Sequence, residues 1–172
     1  ITRQLLELTT KRKFEQRPLN INSVVEKVMV EIRHAALPPG QTIETDLGKD
    51  LALVNGTADR LATAIYNVCV NGLEAMDAAG VLKVETRCVC EENRVTRCGH
   101  SLESGDYVKV SVRDSGGGIP PEILDRVFEP FATTKKAAGR RGAGLGLSVA
   151  YRVVRDHAGC IDFTTAPGKG AE

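Results

Sequence analysis

YNVCVNGLEAM, residues 66–76, is apolar nearly throughout, yet it carries Asn67, Asn71 and Glu74. In a helix, spacings of four and seven place all three on one face. Asn is a mediocre helix former, and Gly72 costs about 1 kcal/mol relative to Ala in a helix interior. Such a stripe faces either water or something polar held in a groove. The helix alone leaves both readings open, and an exposed stripe is the simpler one.

Outward from this stretch the pattern is regular. The helix is expected over about 57–78. Two segments of period-two alternation follow it, VLKVETRCV and DYVKVSVRD, joined by a polar stretch into a long hairpin. Before it, QTIETDL and LALV read as strands, as does a short segment at 18–21. Ser23-Val-Val-Glu26 has capping-box spacing ahead of a helix with apolar Val24, Val25, Val28, Met29 and Ile32. Toward the end, a helix is expected from near Gly144 and closed by Gly159, followed by a strand IDFTT. Strands grouped into hairpins and separated by helices predict an α+β fold, a two-layer α/β sandwich with helices on one face of a mixed sheet.

The 172 residues suffice for one domain with a real core. A net charge of +1 supplies no global field that argues for nucleic acid or an anionic membrane as partner, and no nucleic-acid partner is expected. No apolar run approaches the length of a membrane span, and the opening residues do not read as a signal peptide. The chain begins at Ile1 rather than Met and stops at Glu172, so a piece of a larger protein is expected. Five scattered cysteines, Cys69, Cys88, Cys90, Cys98 and Cys160, suggest free thiols in a reducing compartment. Cys88, Cys90, Cys98 and His100 invite a zinc reading, but no pair has C-x2-C spacing, and a chance cluster in a hairpin loop is the expectation.

Three segments carry chemistry. On the polar helix face, an Asn carbonyl can serve a hard cation and its amide a phosphate, and Asn71 could be one oxygen ligand of Mg²⁺. In VRDSGGGIP, residues 112–120, a strand runs into Asp114 and three glycines permit a backbone path that a Cβ would obstruct. A buried carboxylate there can accept from an exocyclic amine such as that of adenine, although an Asp-Ser-Gly turn is also common. In FEPFATTKKAAGRRGAGLGLSVAYRVV, residues 128–154, Lys135, Lys136, Arg140 and Arg141 suggest a mobile cationic flap. Gly142, Gly144 and Gly146 then enter a helix whose N–H groups could hold an anion. A solvated basic loop would not account for three glycines at a helix entrance. Walker, Rossmann and protein-kinase glycine spacings are all absent.

Taken together, the segments resemble the catalytic and ATP-binding domain of bacterial sensor histidine kinases, members of the GHKL superfamily with the Bergerat fold. NVCVNGLEAM resembles the family's N box, DSGGGI its first glycine box, FEPFATTK its F box and GAGLGLS its second glycine box. The resemblance covers about 18–172. Residues 1–17 resemble the end of a dimerisation-domain helix and its linker, leaving 18–172 as the catalytic domain. It implies a mostly antiparallel sheet whose final strand would follow Glu172.

The resemblance also assigns roles. It makes Asn71 the Mg²⁺ ligand, places Asn67 beside the phosphates and has Asp114 read adenine. Gly116, Gly118 and Ile119 line the pocket wall. Phe131, Thr133, Thr134 and Lys135 belong to the F box and lid, and Gly142, Ala143, Gly144, Leu145, Gly146 and Leu147 surround the phosphates. Gly72 would permit close approach in the nucleotide groove. The cofactors implied are ATP and Mg²⁺. The partners implied are a histidine-bearing dimerisation domain of the same protein and a response-regulator receiver domain, in a homodimeric parent. The domain would be cytoplasmic, whether or not the parent is anchored in the bacterial inner membrane.

Three departures stand out: Gly72 where the family usually has Ala, FAT in the F box, and Ala171 in place of the usual Thr. None of His34, His100 or His157 suits the acceptor role. His157 falls at a helix end where a cation would match the macrodipole. The fragment alone is therefore expected to bind ATP and hardly turn it over. Rival readings are another GHKL ATPase, an anti-sigma serine kinase, or a docking-only module. The ATPases place a Glu base where this chain has Asn67.

Overall fold

A computed structural model of the chain describes residues 15–35, 37–76, 79–92, 95–97, 100–132 and 144–172. In chain order the elements are β1 (Arg17–Leu19), α1 (Ile21–His34), β2 (Gln41–Leu47), β3 (Val54–Gly56), α2 (Ala58–Ala75) and β4 (Gly80–Glu91). They continue with β5 (Val95–Arg97), β6 (His100–Leu102), β7 (Gly105–Asp114), a 3₁₀ segment (Pro121–Arg126) and α3 (Gly146–Asp156). The main sheet has the order β2-β4-β7. β2 runs parallel to β4, and β4 pairs antiparallel with β7 over ten rungs, from Leu82↔Asp114 to Glu91↔Gly105. The sheet is therefore mixed and open, with helices packed on one face, as the alternation predicts. The helix end and linker expected over 1–17 lie mostly outside the described residues.

Alternation decides which face is covered. Leu82, Val84 and Thr86 of β4 point inward and are fully buried. Their neighbours Lys83, Glu85 and Arg87 form an outer ladder of ion pairs with one another and with Asp46. Against the inner face pack Val25, Val28 and Ile32 of α1, Leu61, Ile65, Cys69 and Leu73 of α2, and Val149, Ala150 and Val153 of α3, in one core. No helix among the described residues is long and apolar enough to cross a membrane. The described residues also contain no group of three or more His, Cys, Asp or Glu placed to hold a metal, and Cys98 lies outside them.

Several local expectations are corrected. α1 starts at Ile21, capped by Asn20, whose Oδ1 accepts from Asn22 N–H at 2.9 Å. Ser23 is inside the helix, because the Asn20 cap starts it at Ile21. LALV yields strand only from Val54, where Leu19 begins to pair with it. IDFTT forms no strand. Its pairing is a single bridge, Thr165↔Ala171, flanked by mutual bonds of 2.8 Å between Thr164 and Glu172. At the end of α3 the left-handed residue is Ala158, with φ 55°, rather than Gly159.

His157 is not a solvated cation at a helix end. Its Nε2 accepts from Thr57 N–H at 3.0 Å while Nδ1 lies 2.7 Å from Val153 O. An acceptor Nε2 requires the neutral imidazole with its proton on Nδ1. The ring thus fastens the start of α2 to the end of α3.

One buried polar knot anchors α1 to the sheet. Thr86, with no exposure, donates its hydroxyl to Asn22 Oδ1 at 2.7 Å and accepts from Gly48 N–H at 2.9 Å. Asn22 Nδ2 donates to Gly48 O at 2.9 Å. Thr86→Val keeps the shape and strands Asn22 Oδ1, so it should lower unfolding free energy by about 1–3 kcal/mol. Urea denaturation measures that loss.

Candidate functional site

The site is built where α2, the end of β7 and the start of α3 meet. On β7 the inward positions Val108, Val110 and Val112 are followed by Asp114, which therefore enters the core side of the sheet opposite Leu82. Asp114 is 8% exposed. Its N–H donates to Ala171 O at 2.9 Å, and its Oδ1 accepts from Gly116 N–H at 2.8 Å. Burial pushes the carboxyl above the ordinary carboxylate value, and the neighbouring backbone N–H groups pull it part of the way back.

Gly72 answers a different need from the one expected. It is buried, and a methyl there would fall 2.8 Å from Leu82 Cδ1 and 3.3 Å from Asp114 Cβ. The close approach it permits is between α2 and the sheet beneath Asp114, not an opening of the groove. Asn67 and Asn71, on the adjoining face, are half-buried, while Glu74 is exposed. The stripe thus passes from the protein interior at Asn67 to solvent at Glu74.

The first glycine-rich loop crosses the end of α2 closely. A methyl at Gly116 would lie 2.5 Å from Ala75 O, whereas Gly117 has nothing within 4 Å. Gly118 takes φ 80°. Ile119 N–H donates to Thr165 Oγ1 at 2.9 Å, which in turn donates to Gly170 O at 3.0 Å. The segment 165–171 therefore holds this loop and, through Ala171 O, the end of β7. Ala171 contributes through its backbone, which the side-chain comparison could not reveal.

At the other end of the site, Phe131 has φ 68° and is 59% exposed, and its N–H donates to Gly144 O at 2.8 Å. Gly144 has φ 64°, and a methyl there would fall 2.8 Å from Phe131 C. Leu145 is buried and Leu147 half-buried. No side chain caps the start of α3. Gly146 faces α2, with Asn67 Oδ1 3.5 Å from where its Cβ would sit. Asn67 Nδ2 is buried without a hydrogen-bond partner among the described residues. An unpaired amide donor beside an uncapped helix start fits an anionic group. Thr133, Thr134, Lys135, Gly142 and Ala143, with the other flap cations, lie outside the described residues.

Sequence reasoning missed Thr165 and Gln41. Thr165 holds the glycine loop, and Gln41 bonds the end of α2. Neither has a local signal, since each acts across more than thirty residues.

The family model described as histidine kinase-, DNA gyrase B-, and HSP90-like ATPase matches residues 56–172. Sensor kinase CckA of Brucella abortus is 30% identical over 172 residues, covering 99% of this chain and 18% of that protein. The curated relatives compared are spanned over about a fifth to a third of their length. Among solved structures, full-length ShkA in complex with AMPPNP has a TM-score of 0.74 at 22% identity, over 98% of this chain and 32% of that one. Histidine kinase ThkA in complex with the response regulator protein TrrA has a TM-score of 0.67 at 23% identity, over 99% of this chain and 43% of that one. At such identities the structures speak for the fold, while the family model covers more than half of the sequence. The chain belongs to the histidine kinase-, DNA gyrase B-, and HSP90-like ATPase family, and within it is the kind of catalytic ATP-binding domain found in sensor histidine kinases.

Proposed function

We propose that this domain binds Mg·ATP and directs its γ-phosphoryl group to a histidine on a dimerisation domain of the same protein, for relay to an aspartate of a response-regulator receiver domain. The observation that carries this reading is Asp114. A carboxylate held inside the sheet, with one oxygen on Gly116 N–H, is an acceptor matched to the amine of adenine. Bound Mg·ATP supplies the electrophilic phosphorus and the leaving group.

The chain's own residues bind and orient. Gly116 brings the loop backbone against α2, forming one wall for the base. Asn67 offers its unpaired Nδ2, and the uncapped start of α3 offers backbone N–H groups, to the phosphates. Asn71, one turn beyond Asn67, is the proposed oxygen ligand to Mg²⁺. Asn67 carries no proton-accepting group for activating water, which favours transfer to a protein side chain over hydrolysis. The partner class is supported by the structural neighbour solved with its response regulator.

Calorimetric titration with a non-hydrolysable ATP analogue tests the binding half. Asp114→Asn replaces an acceptor in a charge-assisted bond worth about 1.5–3 kcal/mol, so affinity should fall roughly 10- to 150-fold. Asn71→Ala should retain analogue binding but lose its Mg²⁺ dependence. Equal affinities in all three proteins would sink the assignment. Phosphotransfer is tested by adding a histidine-bearing helical domain and following label from γ-labelled ATP.

The pH dependence has a definite sign. Because the Asp114 pKa is raised by folding, the folded chain holds this proton more tightly than the unfolded one. Its contribution to stability is fully present below the unfolded value and is lost as pH rises through the raised value. Nucleotide binding needs the ionised form and runs the other way. Affinity should weaken as pH falls through the window above the ordinary carboxylate value, and Asp114→Asn should flatten that profile.

The loop geometry makes a separate prediction. Gly116→Ala forces backbone to move and should destabilise by about 1–3 kcal/mol, whereas Gly117→Ala should change the melting temperature little. Thermal denaturation of both variants distinguishes them.

A further inference from the structure

Gln41 opens β2 and is 7% exposed. Its Nε2 donates to two carbonyls of the last turn of α2, Leu73 O at 3.1 Å and Met76 O at 3.0 Å. Chemistry fixes this orientation, since the flipped amide would set its oxygen against two carbonyl oxygens. The remaining atom, Oε1, is buried without a partner among the described residues. An unpaired buried acceptor is unfavourable, and an apolar residue would fill the same space without one. The two donors are what Gln41 contributes.

Those donors act on the turn that bears on the proposed adenine contact. Gly72 of that turn lies against Asp114 Cβ, and Ala75 O lies against Gly116, whose N–H in turn holds Asp114 Oδ1. α2 has no glycine after its last residue to close it. Met76 is extended, and its N–H returns to Leu73 O at 3.3 Å. The end of the helix is thus fastened from another strand.

We infer that Gln41 is a specificity-determining positioning residue, which clamps the end of α2 so that Asp114 is held for a 6-amino purine and against a 6-oxo purine. It touches no nucleotide and acts through Leu73, Met76 and the Gly116 crossing. The inference rests on the reading of Asp114 as the adenine acceptor.

The test uses the full chain and two probes, a non-hydrolysable ATP analogue and its inosine counterpart, titrated calorimetrically with Mg²⁺. The ratio of the two dissociation constants does not depend on the fraction of folded protein, so it separates positioning from mere stability. The parent chain should prefer the adenine nucleotide by at least roughly tenfold, because a site built for a hydrogen bond rejects a ligand that cannot make it. Gln41→Met keeps length and removes both donors. It should cut the preference to roughly one-third or less, mainly through weaker adenine binding. Gln41→Asn keeps the amide on a shorter stem and should give an intermediate ratio, which serves if the Met variant does not fold. An unchanged ratio with a lowered melting temperature would make Gln41 a structural cap only and overturn the inference. No preference in the parent chain would overturn the Asp114 reading itself, and the inference with it.

Discussion

The approach of α2 to the sheet sets the positions of everything at the site. Leu82 on β4 and Asp114 on β7 are register partners on the covered face, and Gly72 rests on both. A methyl at Gly72 would push against a Leu82 that is fully enclosed, in an interior packed too densely to yield without moving the helix. With the helix seated this low, Ala75 O meets the Gly116 backbone and Asn67 meets the start of α3. Three sequence-distant segments are thereby brought together by one helix–sheet distance.

That distance is defended from both ends of α2. Gln41 holds its last carbonyls, and neutral His157 receives Thr57 N–H just ahead of its first turn. Arg60 adds an ion pair to Asp156 of α3 at 2.6 Å. The opposite face of the sheet cannot take a second helical layer. Its Lys83–Glu85–Arg87–Asp46 ladder would require desolvation of several charges to be covered. One covered face and one charged face give the two-layer form.

Much of this was legible in the sequence. The period-two alternation of β4 and β7 gives their pairing and places Asp114 at the strand end, and the polar stripe singles out the helix face on which Asn67 meets the start of α3. What could not be read is what depends on long-range contact. The helix starts three residues ahead of the Ser23 capping box because Asn20 caps it, its Oδ1 taking Asn22 N–H, so Ser23 and Glu26 fall inside the helix. IDFTT has strand composition, but its described pairing is limited to residues 171–172, so composition finds no ladder to join. His157 reads as a helix-end residue suited to a cation, and only the arrival of Thr57 N–H, from a hundred residues away, gives its Nε2 an accepting role. Gln41 and Thr165 have no motif because their partners are remote.

Buried polar atoms in this fold divide by whether they have partners. Thr86 and Ser148 bond within their surroundings and serve the scaffold. Among the described residues, the buried side-chain atoms left unpaired are Gln41 Oε1 and Asn67 Nδ2, and both residues bear on α2. Each costs about 1–3 kcal/mol in the free protein, and Phe131 adds roughly 1–3 kcal/mol for its left-handed backbone. A chain tuned for stability alone would place apolar or extended residues there. The Asn67 deficit differs from the Gln41 one, because an anion at the start of α3 would restore its missing bond. That part of the cost returns as binding energy, so ligand binding should stabilise the fold by more than contacts to already satisfied groups would. The Gln41 deficit has no such return, and it is offset by the two hydrogen bonds that Nε2 gives the last turn of α2.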